Sequence, residues 1–93
     1  MNLRDIKKDI VYVIEAFLED CTTVATVNSK VDEAAAELFE DAVNLYNSLM
    51  DKVYGECEGS KRAYFTALRK ELLEKTDALY TKLSEAIKNA TAA

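Results

Sequence analysis

Two apolar rows run side by side through the first 27 residues and constrain the fold more than any other feature. Leu3, Ile6, Ile10, Val13, Phe17, Val24 and Val27 follow one 3-4 repeat, and Val11, Ile14, Leu18, Cys21 and Ala25 follow a second beside it. At 100° per residue the rows cover an arc of about 160° on a helix, wider than the seam one partner helix would fill. They are densest between Ile10 and Cys21, so this segment must be covered by two other helices. Asp20 falls at the edge of the arc, where its carboxylate is expected to reach solvent. Tyr12 points almost opposite the apolar face, among Lys8, Glu15, Ala16 and Glu19.

The rest of the chain can supply those partners. It has 93 residues, no proline and two glycines, with 49% hydrophobic and 31% charged side chains, a balance that favours one folded helical domain over a disordered chain. Asn2, with Asp5 three positions on, predicts the start of a first helix over 3–27. Asn28 reads as a stop, and Ser29 with Asp32 as a second capping box, opening a helix over 30–54. Its apolar positions are Val31, Ala35, Leu38, Phe39, Ala42, Val43, Leu45, Tyr46, Leu49, Met50, Val53 and Tyr54. Glu33, Glu37, Glu40, Asp41, Asn44, Ser48 and Asp51 lie on the other face. Gly55 is suited to a left-handed helix end, residues 55–60 form a loop, and Ser60 caps a third helix over 61–88, with 89–93 fraying. Glu71 and Lys75 form an i,i+4 pair in the favourable order. The predicted fold is all-α: an up-down-up antiparallel three-helix bundle about 40 Å long.

Histidine is absent, which removes the ordinary general base near neutral pH, the imidazole metal ligand and the Ser-His and Cys-His nucleophile pairs. Most carboxylates of the first two helices fall on solvent faces, where little shifts their pKa. No catalytic, cofactor or metal site is expected. Cys21 and Cys57 lie toward opposite ends of such a bundle, roughly 25 Å apart by helix rise. That exceeds the ~7 Å limit between bridged Cα atoms. Two thiols are expected, with Cys21 buried, and Glu56-Cys57-Glu58 is expected to be a solvated loop whose carboxylates disfavour the thiolate. No secretory signal is visible, and no stretch approaches the ~20 apolar residues that span a bilayer. The expected location is cytoplasmic.

Charge is unevenly distributed. Residues 1–14 carry +1, residues 15–60 carry −9 and residues 61–93 carry +3, for a net −5. Lys61, Arg62, Arg69 and Lys70, with Arg4, Lys7 and Lys8, form a basic end beside Tyr64 and Phe65. Such a cluster can bind nucleic acid. The negative total and the adjoining acidic loop make pairing with the second helix's acidic edge the better expectation. The candidate interaction surface is Tyr12, Tyr64, Leu73 and Tyr80, which a single three-helix core does not obviously cover. Its partner would be another protein or a second copy of the chain.

Residues 2–10, Asn-Leu-Arg-Asp-Ile-Lys-Lys-Asp-Ile, and 64–80, Tyr-Phe-Thr-Ala-Leu-Arg-Lys-Glu-Leu-Leu-Glu-Lys-Thr-Asp-Ala-Leu-Tyr, resemble small uncharacterised all-helical bacterial proteins. The resemblance implies a free-standing bacterial protein and carries over no functional residue. Acidic bacteriocin-immunity bundles are similar in length, charge sign and helicity, though not in motif. The expected function is non-catalytic and mediated by protein contacts. The alternatives are a nucleic-acid-associated protein using the basic end and an immunity-type inhibitor using the acidic face of the second helix.

Overall fold

A computed structural model of the chain describes residues 2–55, 57 and 59–92. Among them are three α-helices and no strand: α1 (Leu3–Val27), α2 (Asp32–Tyr54) and α3 (Lys61–Ala92), with a 3-10 turn at Ser29–Val31 between the first two. Every helix touches both others, in a body of 51 × 17 × 16 Å. It is longer than the expected ~40 Å because α3 continues to Ala92. The segment expected to fray is rich in helix-forming residues, and Ala86, Ile87 and Ala90 pack against the core, so the helix gains burial by continuing.

The helix ends follow local chemistry, with two differences from expectation. Asn2 Oδ1 accepts the Asp5 N–H at 2.9 Å, as its sequence position implies. At the next junction Asn28, not Ser29, makes the turn. Its N–H donates to the Val24 carbonyl at 2.9 Å, and its side chain accepts the Lys30 N–H at 3.0 Å. Ser29 lies inside the 3-10 turn, and α2 begins without a side-chain cap. Tightening the turn buries Val31 almost completely. Burying that side chain stabilises by about 1.5–3 kcal/mol, which outweighs the ~1 kcal/mol of an exposed cap.

The second difference concerns the glycines. Gly55 has φ −79°, so it is not left-handed. A Cβ there would meet the Asp51 carbonyl oxygen at 3.2 Å, a tight contact that a shift of a few tenths of an ångström would relieve. The left-handed residue is Gly59, φ +79°. Ser60 does cap α3, its Oγ accepting the Ala63 N–H at 3.4 Å and its carbonyl the Tyr64 N–H at 3.0 Å.

Ile6, Ile10, Ile14, Phe17 and Cys21 of α1 form one wall of the core. Ala35, Leu38, Ala42, Leu49 and Val53 of α2 form another, and Phe65, Leu68, Leu72, Thr76, Leu79 and Leu83 of α3 the third. Val27, expected in the first apolar row, is 82% exposed. A 3-4 repeat drifts about 20° per heptad on a straight helix, and by Val27 the row has rotated out of the core.

Polar contacts join the helices laterally. Asp9 of α1 meets Arg69 of α3 at 3.2 Å. Asp20 accepts the Tyr80 hydroxyl at 2.5 Å, the partners again sixty positions apart. Lys52 of α2 holds both carboxylate oxygens of Glu71 at 2.9 Å, which keeps the Glu71 carboxyl below its ordinary pKa. The expected Glu71–Lys75 pair is present at 3.7 Å.

Thr76 is 3% exposed, and its Oγ1 has no hydrogen-bond partner among the described residues. By contrast Thr22, Thr26, Thr66, Thr81 and Thr91 each donate to the carbonyl four residues back. Replacing a buried unpaired hydroxyl by a methyl group of the same shape removes a desolvation penalty. Thr76→Val is expected to stabilise the fold by about 1 kcal/mol, read as a higher urea midpoint at unchanged slope.

Candidate interaction surface

The four residues expected to form an interaction surface do not behave alike. Tyr12 is 76% exposed and Leu73 47%, on different helices. Tyr64 is half-buried, its ring tilted against Phe65 at 5.8 Å, and its hydroxyl donates to the Lys52 carbonyl at 2.6 Å, closing the end of α2 onto α3. Tyr80 is also half-buried, set edge-on to Phe17 at 4.8 Å with its hydroxyl on Asp20. Asp20 is exposed, as expected, but it also anchors this strut.

Burial, helped by the hydrogen bond and negative charge of Asp20, pushes the Tyr80 hydroxyl up to about 12. Folding therefore favours the protonated phenol. Its contribution to stability is whole below pH ~10, the unfolded value, and is lost as pH rises toward 12. Tyr80→Phe should flatten the fall of urea midpoint over this range relative to the parent chain.

A more continuous apolar surface lies on the α1–α2 side. Val11, Ile14, Glu15 and Leu18 of α1 and Val43 and Tyr46 of α2 line a recess of about 200 Å³. Leu18 also borders a shallower recess with Glu19, Thr22, Thr23 and Phe39. Thr22 and Phe39 continue into a third, with Cys21, Ala25, Thr26, Asp32, Ala35 and Ala36. Shared walls make the three one trough along the two helices, and among the described residues no α3 side chain lines it. The signal was present in the second apolar row of α1. Ile14 and Cys21 are buried, but Val11, Leu18 and Ala25 are only half-covered, so this row is not fully taken up by a second partner. On α2, Val43 and Tyr46 are half-buried and Phe39 is 40% exposed.

The electrostatics of this side are one-signed. From Val11 to Tyr46, the segment that builds it, there are eight carboxylates and a single basic residue, Lys30, with Asp20 turned to Tyr80 of α3. Glu33, Glu37, Glu40, Asp41 and Asp51 are exposed on α2. The basic residues of α3 were expected to neutralise that edge. Among the described residues Arg69 instead pairs with Asp9 of α1, and Lys70 and Lys75 pair with Glu74 and Glu71 of α3 itself. Short i,i+4 reach within α3 accounts for the last two. At the basic end, Lys7 lies over the Tyr54 ring at 5.0 Å, and Arg69 and Lys70 are engaged by carboxylates.

Burial, and secondarily Asp20, raises the Cys21 thiol pKa. No disulfide joins it to Cys57. Glu56 and Glu58, which flank Cys57 in the expected acidic loop, lie outside the described residues. In native protein treated with a disulfide reagent, Cys57 is expected to react first and Cys21 only at the rate of local opening, with both equally fast in urea. Among the described residues no group of three His, Cys, Asp or Glu side chains is placed to hold a metal ion, and no helix is long and apolar enough to cross a membrane.

No family model, curated protein or solved structure matches the chain.

Proposed function

We propose that this protein is a non-catalytic, cytoplasmic helical bundle of bacterial type that acts by binding another protein. The observation that carries the reading is the trough between α1 and α2, an apolar strip bordered by charge and left open by α3. Aromatic and aliphatic side chains left exposed or half-covered on rigid helices, as Phe39, Leu18 and Val43 are here, can anchor a partner. An up-down-up arrangement of the helices belongs to the same proposal. It is supported by the sixty-residue offset shared by the Asp9–Arg69 and Asp20–Tyr80 contacts, which sets α1 and α3 in one direction, and by the short turn leading into α2. The test is affinity capture from the native host at low and moderate salt, using the parent chain and Phe39→Lys. The reading expects a protein retained at moderate salt by the parent and lost from the variant. Nucleic acid as the retained species, or identical retention by both chains, contradicts it.

A further inference from the structure

We propose that the α1–α2 trough is a docking site for a cationic amphipathic helix of a partner protein; this rests on the protein-binding reading above and specifies the partner's chemistry. The floor runs from Val11 to Ala25 on α1, roughly 20 Å at 1.5 Å per residue, or about four helical turns. A groove of this length between two helices receives a third through side chains at i, i+3, i+4 and i+7. Leu18, Phe39 and Val43 offer those side chains a continuous apolar floor.

Charge selects the occupant. Glu15, Glu19 and Asp32 stand among the residues lining the trough, and the segment that builds it, Val11 to Tyr46, carries eight carboxylates against Lys30 alone. A helix with Lys or Arg flanking its apolar stripe meets complementary charge along that border. A second copy is disfavoured, because two-fold pairing of the same face sets these carboxylates against their own images, between chains of net charge −5 each. Anionic lipid and nucleic acid are repelled for the same reason. Exposed ion pairs contribute little each, so the border sets orientation and salt dependence while the apolar floor supplies the affinity.

The test uses the full chain and three labelled 18-residue peptides. The first has Leu at 3-4 spacing flanked by Lys, the second has Glu in place of Lys, and the third is a scramble of the first. Fluorescence anisotropy is read at 50 and 150 mM NaCl. The expected result is that the first peptide binds at least tenfold tighter than either control and weakens with salt. Phe39→Lys should reduce its affinity at least tenfold. Glu15→Lys with Glu19→Lys should abolish most of the salt dependence. Ser84→Lys, on an exposed position of α3, should stay within twofold of the parent, and circular dichroism checks that each variant is folded. Equal binding of the scramble, indifference to Phe39→Lys, or a dimer by sedimentation equilibrium that Phe39→Lys dissociates would overturn the proposal. If the host partner is captured through Phe39 yet the cationic peptide fails, this inference falls and the protein-binding reading stands; if neither is seen, both fall.

Discussion

Phe17→Ala is expected to cost about 3–5 kcal/mol, a large fraction of the ~5–15 kcal/mol that holds a small domain folded. Phe17 is wholly buried at the middle of α1, and it carries the edge-on contact with Tyr80. Truncation removes the transfer free energy of the ring and leaves a cavity that three packed helices can close only in part. It also leaves Tyr80 without the aromatic face that seats it beside Asp20. Urea denaturation followed by circular dichroism should place the midpoint of Phe17→Ala far below that of the parent. A loss under ~1 kcal/mol would mean that α1 does not pack as described.

The second large effect separates two neighbouring leucines. Leu72 is fully buried and Leu73 is 47% exposed. Leu72→Ala should cost about 2–5 kcal/mol and Leu73→Ala less than ~1. Substitution type and helix propensity are the same at both positions, so the difference isolates which face of α3 meets the core. Similar losses at the two sites, by the same urea measurement, would rotate α3 relative to this account.

Helix content and the three-helix division were legible because the apolar period, the absent proline and the caps at Asn2 and Ser60 agree with one another. Asn28 and Val27 were less legible for a shared reason. Each depends on where the chain meets the core, and burial of Val31 and the drift of the 3-4 repeat outweigh local turn preferences there. The exposure of the four candidate residues was legible only in part. Tyr12 and Leu73 are exposed, while Tyr64 and Tyr80 spend their hydroxyls on Lys52 and Asp20, partners twelve and sixty residues away that no local pattern reveals. The trough was written in the sequence as apolar arcs on α1 and α2 broader than one seam. Which part of those arcs α3 would leave uncovered is a tertiary fact.

If the open side of the α1–α2 pair is the working surface of this protein, a cationic amphipathic peptide should bind there. Titration of ¹⁵N-labelled protein with the Leu/Lys peptide, followed by amide chemical shifts, tests it most directly. The largest shifts are expected on Val11, Leu18, Phe39, Val43 and Tyr46, with α3 beyond Ser60 nearly silent. Shifts concentrated on Arg62, Thr66 and Lys70 of α3, with the α1–α2 residues unmoved, would contradict it.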